Sequence, residues 1–414
     1  MAGLLFASTT DVSLAQDSES LSESLEQDIS NEIDVLVVGG GSAGTVAAIQ
    51  AGRAGAKTMV MERASYLGGM TTRGGVSYPG LFDAWGKQII AGIGWELVKD
   101  CVELDGGKLP NFAKVPQRHW MNQVHINQYL YYLLAEEKCA DAGVQIAYHE
   151  SPVAIQATKD GWQVDCVGFG TRRRIFCKQI VDCTGGAEVT GMLGLPRLKG
   201  DERQPGSIQF LIGEENQNDP GRPTKVNAPG LLHGIYVHGA DSTNSRTVTE
   251  ASLTGRKGVL DKVRKSKKRL MHLQPEPGFR ESYRIEGETV ITVQDYRSGR
   301  FFDDAICYAF YPVDLHTKNG VKPEPLKPGT VPTIPLSALI PKGSRNIIVA
   351  GRCVSSDRLA NSGLRVQAPC MAMGQAAACA AAIAAKEGST PGEVPLARLH
   401  DLLRKHDAII PEKS

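Results

Sequence analysis

The sequence predicts an α/β fold with a parallel sheet, an antiparallel β-meander and an inserted α+β lobe. Three observations predict it. An apolar, β-branched run, Ile33 to Val38, opens straight into a glycine-rich turn and an alanine-rich helical stretch. Apolar strand-like runs recur at Gln179 to Cys183 and at Asn346 to Ala350, and each leads into a further glycine turn. Between these last two, residues 200–330 change texture, with more proline, more charge and weaker periodicity.

The first unit carries the most information. Ile33 to Val38 reads as a strand buried on both faces. Gly39, Gly41 and Gly44 follow in the spacing G-x-G-x-x-G, and the helical stretch Ala43 to Ala54 closes at Gly55. A second apolar strand, Thr58 to Met61, ends on Glu62. Gly39 permits the tight turn, Gly41 lets the backbone approach a pyrophosphate, and Gly44 lets helix and strand pack closely. The helix N-terminus offers unpaired N–H groups to the anion, and Glu62 can accept hydrogen bonds from ribose hydroxyls. Strand, turn, helix, strand and acid in this order predict dinucleotide binding.

Composition sets the bounds. A chain of 414 residues has room for two or three units sharing a core. Hydrophobic content of 42%, charged content of 22% and a net charge of +1 describe an ordinary soluble enzyme and disfavour an electrostatic nucleic-acid binder. The nine cysteines include no C-x-x-C pair, which disfavours a structural zinc site and fits reduced, buried thiols; no metal site is expected. No apolar run reaches the roughly 18–20 residues that cross a bilayer, so no transmembrane segment is expected.

Residues 1–32 contain no Lys or Arg and carry seven acids among many serines, which reads as an acidic tail outside the fold. Leu4 to Ala7 and Ser13 to Ala15 faintly resemble the end of a secretory signal. A cytoplasmic location is the expectation, with export as the alternative if residues 1–16 are a signal remnant. The segment LGGMTTRGGVSYPG, residues 67–80, lets the backbone pass flat against a planar ligand, with Thr71, Thr72 and Arg73 offering polar groups. A helix is expected over Lys87 to Lys99, loop over 104–118, and a helix over His125 to Ala142 that ends at Gly143.

After the strand Val144 to His149, three short strands form the meander: Pro152–Thr158, Trp162–Val167 and Arg174–Cys177. Gln179 to Cys183 then returns to the nucleotide sheet and runs into Thr184-Gly185-Gly186, placing a second glycine loop at a strand end, the edge where ligands bind. Residues 33–100, 125–200 and 331–414 thus read as three parts of one nucleotide-binding domain, with 101–124 as a connecting segment and 201–330 as a substrate-facing lobe. Within the lobe, the basic run Arg256 to Arg269 reads as a helix with a solvated face. PGFRESYRIEG (277–287) and YPVDLH (311–316) gather aromatic, Arg and His residues. At the C-terminal end, Asn346 to Ala350 leads into Gly351-Arg352. Arg365 then precedes a long small-residue helix whose positive N-terminus could stabilise negative charge on a ligand.

These segments together, with DCTGGAEVTG (182–191) and AGRCVSSDRLANSGLRVQAPCMAMGQAA, resemble the FAD-dependent oxidoreductases of the glutathione-reductase-type Rossmann class. More distantly they are similar to fumarate reductase and succinate dehydrogenase flavoproteins. The resemblance implies a Rossmann-type FAD-binding domain with FAD as the dinucleotide. It implies that Gly39, Gly41, Ser42, Ala43, Gly44, Glu62 and Arg63 hold the ADP half. Gly69, Met70, Thr71 and Gly74 would lie along the pyrophosphate and ring, with Val153 of the meander at the adenine. Thr184, Gly185, Gly351, Arg352, Arg365 and Gly374 would complete the site. One departure is that Gly186 stands where the group more often has an acid.

His316 is the first candidate for acid/base work, because histidine titrates near neutrality. Arg280 or Arg284 could anchor a substrate carboxylate or carbonyl through a bidentate contact; Arg73 and Tyr311 are weaker candidates, and His119 and His125 read as structural. The expected function is an FAD-dependent dehydrogenase or reductase that passes a hydride between flavin N5 and a small polar organic substrate. A partner that donates or accepts the electrons completes the cycle. The alternatives are a flavin-dependent monooxygenase and a non-catalytic, electron-carrying flavoprotein subunit. With no cysteine cluster for an iron–sulfur relay in this chain, the last is the weaker of the two.

Overall fold

The apolar run at the start of the chain becomes β1 (Glu32–Val38), followed by α1 (Ser42–Arg53) and β2 (Thr58–Glu62), with β1 and β2 paired in parallel. The computed structural model describes residues 32–213, 233–266, 268–317 and 319–413; the expected acidic tail, Glu32 excepted, lies outside them. Next come α2 (Ile93–Leu104), α3 (Gln128–Asp141), β3 (Gln145–Tyr148), β4 (Ser151–Ala157), β5 (Trp162–Gly168), β6 (Thr171–Asp182) and the short α4 (Glu188–Met192). The strand order is β3-β2-β1-β6-β5-β4. β1, β2, β3 and the second half of β6 run parallel, while β4, β5 and the first half of β6 form the antiparallel meander. This is the Rossmann-type α/β architecture.

The lobe places β7 (Gly206–Gly213) between β8 (His233–Val237) and β9 (Arg269–Leu273), with α5 (Ser245–Ser266) packed across them. Ala251, Gly255 and Val259 of α5 are buried there, whereas Lys257 and Arg264 face outward, so the basic run does present a solvated face. The chain then passes through α6 (Val293–Ser298) and returns to the main sheet as β10 (Ile347–Val349), which pairs with the end of β6. Helices α7 (Arg358–Leu364), α8 (Gln367–Glu387) and α9 (Leu396–Lys405) complete it.

Four boundaries differ from expectation, each for a local reason. Lys87–Gln88 pairs with Asp83–Ala84 as a hairpin, and the helix starts only at Ile93, after Gly92 at φ 79°. α3 starts at Gln128 because Asn127 caps it, its side chain accepting from the Tyr129 and Leu130 amides. Arg174–Cys177 and Gln179–Cys183 are not two strands but one, β6, with its arginines paired sideways: Arg173 to Glu150 at 2.8 Å and Arg174 to Asp165 at 2.6 Å. The helix of the basic run begins earlier than expected, at Ser245.

Helix α8 is the second departure from expectation. By length and composition it could cross a bilayer, yet 94% of its apolar window is buried, against α1, the sheet and the C-terminal segments. Alanine is the best helix former and its methyl group keeps the helix thin, so α8 serves as the core's central rod. All nine cysteines are buried and free.

Candidate functional site

Three parallel strands end in a row along one edge, and each delivers a glycine turn to the same place. β1 runs on into Gly39, β6 into Thr184-Gly185 and β10 into Gly351-Arg352, and all of these residues line one cavity of about 470 Å³. In an open α/β sheet this is the edge where a ligand meets the strand ends. Gly39 has φ 96° and its Cα faces the Cys183 carbonyl, where a Cβ would come within 2.6 Å of the oxygen. Around Gly41, by contrast, a Cβ would meet nothing within 4 Å.

Glu62, at the end of β2, is 6% exposed and lines the cavity. Its Oε2 accepts the Gly40 amide at 2.8 Å, its Oε1 accepts the Ala64 amide at 2.8 Å, and Arg73 Nη1 lies 3.3 Å from Oε1. These bonds hold the carboxylate beside the glycine turn. The segment 67–75 docks on the same turn: the Gly68 amide donates to the Gly40 carbonyl at 2.8 Å, and Thr71 Oγ1 meets Ser42 Oγ at 2.9 Å. Asp182 shapes the second loop, taking the Thr184 amide and hydroxyl on Oδ1 and the Thr190 amide and hydroxyl on Oδ2. Arg352, with its guanidinium buried, ties that loop to the lobe through Nε to the Gly185 carbonyl at 2.8 Å and Nη1 to the Phe279 carbonyl at 2.6 Å.

Two helices point their N-termini at the cavity without a side-chain cap. The N-cap of α1 is Gly41 and that of α8 is Val366, and both line the wall. Uncapped N–H groups and the helix dipoles favour an anion or an electron-rich ring there. The residues present therefore fit a long dinucleotide: the α1 N-terminus would hold its phosphates, and the α8 N-terminus would stabilise negative charge on an electron-rich ring.

That far end is polar and crowded. Arg280, Tyr311, Asp314, His316 and Arg365 all line it. Arg365 Nη2 donates to the Asp314 carbonyl oxygen at 3.2 Å and lies 3.9 Å from its Oδ2, while Arg365 Nε is buried with no hydrogen-bond partner among the described residues. Asp314 Oδ2 also meets His316 Nε2 at 3.1 Å, and His316 Nδ1 meets the Tyr236 hydroxyl at 2.9 Å. Hydrogen bonding to His316 and the neighbouring arginines hold the Asp314 carboxyl below its ordinary range despite burial, which pushes the other way. Burial dominates at His316 and lowers its pKa, with Asp314 opposing. The pairing assigns the tautomer: Nε2–H donates to the carboxylate and Nδ1 accepts from the tyrosine. Burial raises the Tyr311 phenol, and Gln123 Nε2 donates to it at 3.2 Å.

The family model described as FAD dependent oxidoreductase matches residues 34–213 and 208–403. This chain belongs to that family. It is an FAD-dependent oxidoreductase, and its cofactor is FAD. No curated protein matches the chain. Among solved structures it is similar to a geranylgeranyl bacteriochlorophyll reductase-like protein from Thermoplasma acidophilum, with 12% identity over 91% of this chain and 84% of that one, TM-score 0.43. The aromatic hydroxylase CabE of angucycline biosynthesis gives 12% identity over 91% of this chain and 66% of that one, TM-score 0.42. OxyS anhydrotetracycline hydroxylase from Streptomyces rimosus gives 20% identity over 45% of this chain, TM-score 0.32, and the chain spans 38% of its length. Likeness of this degree carries no argument about the reaction.

Of the residues singled out from sequence, the cavity wall holds Gly39, Gly41, Ser42, Ala43, Glu62, Arg63, Gly69, Met70, Thr184, Gly185, Gly351, Arg352, Arg365, Arg280 and His316. Six lie behind it. Gly44 packs on the Gly39 carbonyl, and Gly374 packs on Ala43, so both serve helix packing. Thr71 is buried, bonding Ser42 and Gln367, and Gly74 lies under the Met70 side chain. Val153 is 54% exposed: a bulge between Pro152 and Ala154 turns it outward, and Ser151 and Pro152 reach the cavity instead. Arg284 is 7% exposed and spends Nε on the Ser356 carbonyl at 2.9 Å, away from the cavity. Asp314 and Tyr236 were not picked out from sequence. Asp314 sits inside the YPVDLH segment and was within reach of that reading, whereas Tyr236 arrives from a different strand with no local signal.

Proposed function

We propose that this chain is a dehydrogenase or reductase that exchanges a hydride between FAD and a small polar organic substrate seated at the Arg280–Arg365 end of the cavity. One observation carries the reading: a single cavity runs from the glycine turns to a cluster of arginine, tyrosine, aspartate and histidine side chains contributed by the lobe and, at Arg365, by the turn between α7 and α8. When bound, FAD supplies the two-electron acceptor or donor, and the protein supplies binding, orientation and proton handling.

The glycine turns and Glu62 hold the nucleotide half, and Arg352 fixes the second loop to the lobe so that both walls keep one spacing. Arg280 and Arg365 orient polar oxygens of the substrate. Tyr311 keeps its proton through neutral pH, because burial raises its pKa, and so presents a hydroxyl to the cavity. His316 has both ring nitrogens engaged, by Asp314 and by Tyr236, so it acts on a proton only when one of those bonds opens. The string Asp314–His316–Tyr236 joins the cavity to a tyrosine that is 40% exposed, and its donors point inward, so it hands a proton from the solvent side towards Asp314.

The test is spectroscopic. Purified protein should show the visible bands of oxidised flavin, and acid precipitation separates covalent from releasable FAD. Anaerobic bleaching by one member of a panel of carboxylates, alcohols and amines supports hydride transfer from substrate. A protein whose flavin is reduced only by external reductants and which then consumes oxygen to hydroxylate an added aromatic is a monooxygenase, and the dehydrogenase reading fails.

A further inference from the structure

We infer that the Arg280–Arg365 end of the cavity is an anion subsite built to take a substrate carboxylate. The inference rests on the reading above and names the substrate class.

Count the donors and acceptors first. Arg280 Nη1 donates to the Pro205 carbonyl at 2.8 Å and approaches Ser207 Oγ at 3.4 Å, while its Nε and Nη2 make no hydrogen bond with the described residues. Its guanidinium carbon sits 5.4 Å from the Tyr236 ring centroid, a cation–π contact that fixes the plane of the fork. Arg365, with a side chain 12% exposed, gives Nη2 to the Asp314 carbonyl and leaves Nε buried without an acceptor. A buried, unpaired N–H on a charged group costs free energy that a ligand oxygen would recover.

The charges tell the same story. Asp314 is the carboxylate whose field reaches both arginines, and it already serves His316. Two guanidiniums with one shared carboxylate leave the end of the cavity positive and poorly solvated. Burial and the charge of Arg365 together push Arg280 down to about 10, the response expected of like charges held close without enough counter-charge. A neutral alcohol would leave that imbalance in place. A carboxylate offers two acceptor oxygens in the plane that a guanidinium fork matches, and it supplies the missing negative charge. The nucleotide's own phosphates would be held by the uncapped α1 N-terminus at Gly41, which lines the same cavity, and not by these arginines.

The experiment uses the FAD-loaded protein and needs no turnover. Propionate and succinate are titrated against their amides, reading the flavin absorption spectrum and the thermal unfolding midpoint. The two carboxylates are expected to bind roughly tenfold or more tightly than the amides. Arg280→Gln should weaken carboxylate binding roughly tenfold while the FAD content per chain stays unchanged, and Arg280→Lys, which keeps the charge but not the fork, should weaken it less. The subsite is overturned if amides bind as well as acids, if neither binds, or if inorganic phosphate alone perturbs the flavin. It is equally overturned if either variant sheds FAD, since the arginine would then serve the cofactor. Carboxylate binding without bleaching by any carboxylate keeps the subsite and sinks the dehydrogenase reading. Bleaching by a neutral alcohol that carboxylates do not compete with does the reverse.

Discussion

Gly374 and Ala43 touch backbone to backbone: a Cβ on Gly374 would run into the Ala43 carbonyl oxygen and carbon. The contact seats α8 against the first turn of α1, the turn that faces the dinucleotide. Gly374→Ala therefore overpacks a helix pair that has no flexible side chain to give way. It should destabilise the fold by about 1–3 kcal/mol, measured by urea unfolding, and weaken FAD retention as α1 shifts. Wild-type stability in this variant would show that the two helices are not held at this spacing.

Glu62 is held by two backbone amides with its carboxylate facing the cavity. Glu62→Ala removes the proposed acceptor for ribose and leaves the Gly40 amide unpaired. FAD affinity of the reconstituted protein should fall by about 1–3 kcal/mol, roughly fivefold to 150-fold, in a fluorescence-quenching titration. An unchanged affinity would remove Glu62 from nucleotide binding.

His316 titrates below its ordinary value because burial opposes its charge, while Asp314 partly restores it. The sign follows: the unfolded chain takes up this proton more readily than the folded one. His316 therefore costs stability as the pH falls through the ordinary histidine value, about 6.5, and costs nothing well above it. By NMR, the His316 ring should titrate below 6.5, and Asp314→Asn should move its midpoint lower still. A midpoint that rises in the variant would contradict the assigned geometry.

Glu96 accepts a two-pronged contact from Arg53, at 2.7 and 2.9 Å, and a third bond from Lys138 at 2.7 Å. Arg53 is the main reason its carboxyl is held down to about 2. The stability it supplies is complete above the ordinary value of 4.5 and is lost as the pH falls through about 2. Allowing for partial exposure, Glu96→Gln should cost about 1–2 kcal/mol at neutral pH, and the gap to wild type should close in acid. Urea midpoints at neutral and at strongly acidic pH decide it; a gap that persists in acid would mean that packing, not charge, is lost.

The nucleotide half was legible in sequence because backbone geometry dictates it: a turn that tight, beneath a helix that close, admits few residues but glycine at Gly39 and Gly44. The meander was legible only as strands. Burial along β4 does not alternate, so nothing in the pattern reveals that Val153 sits on a bulge. β6 hid its continuity behind Arg173, Arg174 and Lys178, charges that resemble a loop until their partners Glu150, Asp165 and Asp34 are seen. The substrate end was the least legible. Tyr236, Arg280, His316 and Arg365 come from four separate segments, and only the packing of the lobe against the sheet sets them side by side.

The single strand β6 also dictates when this protein can come into being. Its last three residues are covered on one side by β1 and on the other by β10, a segment translated long afterwards. Until Ile347–Val349 leaves the ribosome, the emerging chain carries an open, apolar strand edge and only part of its cofactor bed. A pairing across so long a stretch of chain closes slowly, so the half-made protein is the form most exposed to aggregation. Flavin capture thus belongs to the end of synthesis, and a chain cut short before β10 would be a hazard rather than a weaker enzyme.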